Sequence, residues 1–140
     1  SASPEKYAEA LYHLLKKNQI IKKTEVQSFD FRPLLYLQRL DPGIKTTYLT
    51  KPAQDNTFDS SMLKTIRELG GSCWGPFQMD VSMSNIAEAK QLGLKVVPWG
   101  YPEIEGCEFN DAQIKKLIHW GVDGIITDRP DMLLKMLHEK

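Results

Sequence analysis

Few residues in this chain could do chemistry. The three histidines, His13, His119 and His138, all fall on stretches with helical apolar spacing, whereas reacting groups of α/β barrels and open α/β sheets stand on the loops after strands. They read as helix-face residues. Four carboxylates, Asp30, Glu103, Glu105 and Asp128, do stand just beyond candidate strands. Metal ligation could be placed there, but a capping or loop role is the simpler reading of each. Cys73 and Cys107 lack metal-ligand spacing and are too few for a disulfide framework, so they read as two unpaired thiols. Neither phosphate-cradling glycine loop occurs, nor does His-Glu-x-x-His.

The aromatic residues say more. Phe29, Tyr48, Trp74 and Trp99 lie at or near the ends of candidate strands, where side chains gathered on one rim would form the apolar wall of a small-molecule pocket. Core packing is the competing role for each. Trp99 is the strongest case for function, because its strand leaves the sheet at Gly100-Tyr101-Pro102. Truncating it is therefore expected to impair substrate handling and to spare stability.

The elements that would hold these residues follow from apolar period. Helices are expected over Pro4–Lys17, Arg32–Leu40, Ser60–Leu69, Ser82–Leu92 with Ser84 as N-cap, Asn110–Trp120 and Asp131–His138. Strands are expected over Glu25–Phe29, Ile44–Leu49, Ser72–Gly75, Leu94–Trp99 and Val122–Thr127. Pro98 deletes one ladder donor and so belongs near a strand end. Thr50–Asp59 is polar and turn-rich, a loop long enough to serve a rim. The clearest stretch is Gly121-Val122-Asp123-Gly124-Ile125-Ile126-Thr127-Asp128-Arg129-Pro130. Gly121 ends a helix, Val122–Thr127 reads as a strand buried on both faces, and Asp128 and Pro130 open the next helix.

Six helices thus alternate with five strands, and crossovers of this kind make parallel, right-handed units. Two architectures accept them, a doubly wound open sheet or a sector of a (β/α)₈ TIM barrel. The 140 residues, 41% of them hydrophobic, suit one domain over 1–140. They fall well short of the ~250 residues of a full barrel. Eighteen basic and eighteen acidic residues cancel, with no basic stripe for nucleic acid. No apolar run nears the ~20 residues of a membrane span, and Ser1-Ala2-Ser3-Pro4 does not resemble a signal peptide, although a mature chain would have lost one. No compartment is indicated.

Four segments in register carry a family resemblance: Val26-Gln27-Ser28-Phe29-Asp30, the Tyr48-Leu49-Thr50 strand end, Gly93-Leu94-Lys95-Val96-Val97-Pro98-Trp99 and Gly121 to Pro130. Together they resemble glycerophosphodiester phosphodiesterases, in particular a bacterial branch. The resemblance implies a TIM barrel that hydrolyses glycerophosphodiesters to glycerol 3-phosphate and an alcohol, using a divalent cation (Mg²⁺ or Ca²⁺) and histidine acid–base chemistry. This chain resembles the last five of the eight βα units. The family's His-Arg-Gly motif, acidic ligands and further histidine belong to the first three, and this sequence has no match to them. What carries over is the pocket wall, with Trp99, Phe29 and Tyr48 as the expected substrate-binding residues. After Trp99 the family usually continues Thr-Val-Asn, whereas this chain has Gly100-Tyr101-Pro102.

The expected function is therefore the C-terminal portion of such an enzyme, supplying scaffold and aromatic wall, inactive alone and with no identifiable metal ligands of its own. The alternative is a catalytically dead ligand-binding or interaction module derived from the same barrel. Either way, Glu25–Phe29 and Val122–Thr127 would be strand edges that invite pairing, so association with the missing N-terminal part or with further copies of the chain is expected.

Overall fold

The computed structural model describes residues 2–101 and 109–138. Glu103, Glu105 and Cys107, singled out above, lie outside the described residues.

Local chemistry fixes the helices. α1 (Pro4–Lys17) starts where Ser3 Oγ accepts the Lys6 amide at 3.2 Å, with Pro4 in the first turn. Its Ala8 and Leu15 pack on Leu37 of α2 (Phe31–Leu40) and on Ile44. Asp30 caps α2 by accepting the Arg32 amide at 3.0 Å and also holds the Arg32 guanidinium, which keeps its carboxyl down at about 2. α3 spans Ser61–Glu68. α4 (Met83–Gln91) opens with a reciprocal cap: Ser82 Oγ accepts from Asn85 N and Asn85 Oδ1 accepts from Ser82 N. Ser82, not the expected Ser84, is thus the N-cap, because only the earlier serine has a partner three residues on that can answer it. α5 (Asp111–Trp120) ends at Gly121, whose φ of +91° an L side chain adopts only with strain. α6 is Pro130–His138. No helix among the described residues is long and apolar enough to cross a membrane.

Four strands, β1 (Glu25–Ser28), β2 (Lys45–Leu49), β3 (Cys73–Gly75) and β4 (Lys95–Val96), form one parallel sheet in sequence order. Register runs Val26 to Thr46, Tyr48 to Trp74 and Trp74 to Val96. The helix-facing side carries Tyr48, Trp74 and Val96, closed by Leu34, Leu63, Ile66, Ile86 and Leu117 into the main core. The opposite side carries Leu49, Phe77, Trp99 and Ile126.

Two expected strands are modified. Leu94–Trp99 keeps its hydrogen bonds, since Lys95, Val97 and Trp99 donate to Ser72, Trp74 and Pro76 at 2.9 Å, but regular pairing stops at Val96 because Pro76 on the neighbouring strand has no N–H to return to Val97. Val122–Thr127 is not a regular strand and is not buried on both faces. It runs beside β4 through Asp123 N to Val96 O (2.8 Å), Ile126 N to Pro98 O (2.9 Å) and one parallel bridge between Trp99 and Ile126. The cause is Asp123, whose Oδ2 accepts the Val96 amide at 2.9 Å and occupies a ladder site with a side chain. With no further neighbour on that edge among the described residues, Val122, Ile125 and Ile126 are only half-buried.

Candidate functional site

The parallel strands all end at one rim, and the inner face there is apolar. A cavity of about 630 Å³ opens on it, walled by Phe29, Leu49, Trp99, Tyr101 and Ile126. Phe29 comes from the turn after β1 and Leu49 from the last position of β2. Trp99 follows Pro98, and Ile126 comes from the segment beyond β4. Sites of α/β barrels and sheets occur at this end of the strands.

Trp99 is the centre of the wall. Its indole Nε1 donates to the Gly75 carbonyl at 3.1 Å, a buried hydrogen bond, and only 8% of the residue is exposed. Phe29 meets it edge to face at 5.2 Å and 87°, Tyr101 at 5.0 Å and 90°, and Phe77 backs it at 5.2 Å. The small residue at Gly75 belongs to this arrangement, since a Cβ there would meet Leu49 Cδ2 at 2.6 Å. Phe29 and Tyr101 are 43% and 38% exposed, so their rings offer surface to a ligand. Trp99 is anchored more deeply than a free rim residue, and that burial and the Gly75 hydrogen bond argue against the expectation that its removal would spare stability.

Tyr48 is not part of this wall. It is fully buried, meets Phe31 edge to face at 4.8 Å and donates its hydroxyl to Gln38 Oε1 at 2.6 Å. Alternation along β2 is the reason: Thr47 and Leu49 face inward, so Tyr48 must face the helices. Burial raises its phenol pKa, which leaves it a neutral donor. Trp74 shares that outer side, with Nε1 donating to Thr50 Oγ1 at 3.0 Å and its ring on Phe58 at 4.8 Å.

Polar groups at the cavity are few. Gln27, Thr127, Asp128 and Arg129 line it. The Arg129 guanidinium is committed to Asp131 at 2.9 and 3.0 Å, which lowers the Asp131 carboxyl. Thr127 Oγ1 accepts the Arg129 amide at 3.0 Å and holds the turn into α6. Asp128 presents an exposed carboxylate. Among the described residues no group of three or more His, Cys, Asp or Glu side chains could hold a metal ion, so the donor set here does not fit the divalent cation that the resemblance implies. His13, His119 and His138 belong to α1, α5 and α6, and none lines the cavity.

Behind the wall, the Thr50–Asp59 loop is tied down by Asp80, whose Oδ2 accepts the Ala53 amide at 3.0 Å. Asp80 is 8% exposed, and burial raises its carboxyl pKa against the opposing effect of that hydrogen bond. Burial likewise raises the Cys73 thiol, leaving it an inert core group. Sequence reading misses Leu49, Tyr101 and Ile126 as wall residues. The available signal is inward alternation at strand ends, readable only once the register is known.

The sequence profile of the Glycerophosphoryl diester phosphodiesterase family matches residues 4–132. Over 143 aligned residues the chain is 25% identical to a glycerophosphodiester phosphodiesterase of Bacillus subtilis (strain 168), covering 96% of this chain and 46% of that protein. A crystal structure from Silicibacter pomeroyi DSS-3, provisionally described as a glycerophosphoryl diester phosphodiesterase, superposes with a TM-score of 0.81 at 27% identity over 97% of this chain and 44% of that one. An Oleispira antarctica phosphodiesterase, solved with the product sn-glycerol-3-phosphate, superposes at 0.79 with 18% identity, covering 96% and 50%. The chain thus spans about half the length of the relatives it matches.

Proposed function

The chain belongs to the glycerophosphoryl diester phosphodiesterase family, and from that membership we propose that it is the C-terminal portion of a glycerophosphodiester phosphodiesterase barrel. In this reading it supplies scaffold and the aromatic wall, while a divalent cation and the histidine acid–base pair are held by the remaining units. The observation that carries it is the cavity of Phe29, Leu49, Trp99 and Ile126 at the C-terminal ends of a parallel sheet whose β1 has, among the described residues, a partner on one side only. Hydrolysis of a phosphodiester requires a cationic clamp on the phosphoryl oxygens and a proton for the leaving alkoxide. The wall supplies neither. Its part is to bind and orient the organic portion of the substrate and to keep water from that side.

A chimera tests this reading. Residues 4–132 replace the matching region of the Bacillus subtilis relative, and the product is assayed on glycerophosphocholine with magnesium or calcium. Turnover that a chelator abolishes is expected from the chimera and none from the 140-residue chain alone. A folded chimera without turnover would instead favour a binding module that has lost the chemistry, and chelator-sensitive turnover by the isolated chain would sink the division of labour.

A further inference from the structure

The end of the sheet opposite the cavity carries a different surface. The loops that follow α1, α2, α3 and α4 meet there, because each helix runs back from the rim to the start of the next strand. Although the chain's charges cancel overall, residues 16–23 hold four lysines, Lys16, Lys17, Lys22 and Lys23, and no carboxylate. All four are exposed, and the salt bridges among the described residues, Asp30 with Arg32 and Asp131 with Arg129, involve none of them. Carboxylates at this end are engaged within the chain, since Asp41 accepts the Gly43 amide at 2.9 Å and Glu25 accepts the Thr47 hydroxyl. The dipole of α1 accounts for Lys16 and Lys17 in its last turn. It does not account for Lys22 and Lys23, which lie beyond the helix.

Apolar side chains stand among these charges. Gln19 has a φ of +56°, a left-handed conformation that a residue other than glycine adopts only with strain. Its turn is fixed by Ile20 N donating to Leu15 O at 3.1 Å and Thr24 Oγ1 donating to Ile20 O at 2.7 Å. The isoleucine pair is thereby split: Ile21 packs on the cluster of Leu37 and Ile44, whereas Ile20 is 39% exposed. Leu40, the last residue of α2, is 43% exposed at the same end.

The occupant follows from this mixture. A nucleic acid would satisfy the lysines but offers an exposed isoleucine no apolar surface to enter. An anionic bilayer meets both, because its phosphate headgroups attract the ammonium groups and its acyl boundary receives the isoleucine. We propose that residues 16–23, with Ile20 at their centre, form a peripheral docking surface for an anionic phospholipid bilayer. Contact of this kind is reversible, is independent of any catalytic role, and leaves the cavity at the other end of the strands open to solvent.

Vesicle sedimentation tests it. The 140-residue chain is spun with vesicles of phosphatidylcholine alone and with vesicles containing about one-third phosphatidylserine, at about 0.1 M and 0.5 M salt. Binding is expected to the anionic vesicles at the lower salt only, since each lysine near such a surface is worth roughly fivefold in partitioning. Lys22→Gln with Lys23→Gln should therefore weaken binding about 20-fold, and Ile20→Asn about 3- to 10-fold, each with native circular dichroism. Lys115→Gln with Lys116→Gln, an exposed pair on α5, should bind as the parent does. Equal loss from that control pair would show attraction to overall charge and overturn the docking surface. Lysine-dependent binding that Ile20→Asn leaves unchanged would assign the corner to a soluble polyanion such as nucleic acid and overturn the bilayer. Equal binding to neutral vesicles, or binding to neither kind, refutes the proposal outright.

Discussion

Replacing Trp99 with alanine should unfold the chain well below its normal melting temperature. A tryptophan buries about 150–250 Å², and at ~25 cal/mol per Å² this is worth about 4–6 kcal/mol as an upper estimate. Trp99 is 8% exposed, touches three rings and donates a buried hydrogen bond to the Gly75 carbonyl, so most of that burial applies. Its cavity is open, however, and water can enter the void that alanine leaves, which removes part of the penalty for an empty hole. The expected cost is therefore near ~3 kcal/mol, the lower end for large aromatic truncations, or about 10 °C in melting temperature at this chain length. Trp99→Phe, which keeps a ring and loses the indole donor while the Gly75 carbonyl still accepts the Thr50 amide at 3.0 Å, should cost about 0.5–1 kcal/mol. Thermal and urea melts followed by circular dichroism give both numbers. If Trp99→Ala melts within about 2 °C of the parent, the indole is a loosely held rim group and neither its three ring contacts nor the Gly75 hydrogen bond anchors it.

Tyr48→Phe should cost about 0.5–1.5 kcal/mol through the lost hydroxyl, since Gln38 Oε1 keeps Thr46 as a second donor at 3.0 Å; urea melts that put the cost above about 3 kcal/mol would show that Gln38 is left unsatisfied. Asp80 has a folded-state pKa raised above its ordinary 3.8 by burial, so its contribution to stability is fully present below the unfolded pKa and is lost as pH rises through the folded one. Asp80→Asn, which still accepts from Ala53, should therefore match or exceed the parent at about pH 7 and lose that advantage at about pH 3; melts showing the opposite order refute the assignment. Finally, among the described residues β1 pairs only with β2 and the Val122–Thr127 segment only with β4, leaving two sheet edges. Sedimentation should show concentration-dependent association of the isolated chain, and a monodisperse 16.0 kDa species at high concentration would show the edges to be sealed.

How much of the fold and site is legible in the sequence depends on the kind of signal. Helical period and caps place α1, α2 and α5 to within a residue or so, because amphipathic spacing and residues such as Ser3, Asp30 and Gly121 act locally. Parallel strands are apolar on both faces, so the run Ile44–Leu49 announces a strand without saying which side of it looks inward. Tyr48 and Leu49 are therefore interchangeable until pairing with β3 sets them apart. Val122–Thr127 fails differently. Its composition is that of a buried strand, but the Asp123 carboxylate competes for a ladder donor, and that competition is invisible to any count of β-branched residues. Tyr101 escapes notice because a position two residues beyond a strand has no period to reveal its direction.

The register also explains why the cavity lies where it does. In rows across the inner face, Gln27 pairs with Thr47 and Cys73 with Lys95, then Leu49 with Gly75, and last Phe77 with Trp99 and Trp99 with Ile126. Polarity falls from row to row toward the C-terminal rim, so apolar ligand surface is stabilised at that end alone. The wall there draws Gln27 and Phe29 from the first strand and its following turn, and Ile126 and Thr127 from the last segment. The cavity is therefore bounded by residues from both edges of the described sheet. In the proposed barrel reading, a ligand held against Trp99 faces the open edges, so this chain grips the organic part of the substrate from one side and the remaining units bring their groups to the other.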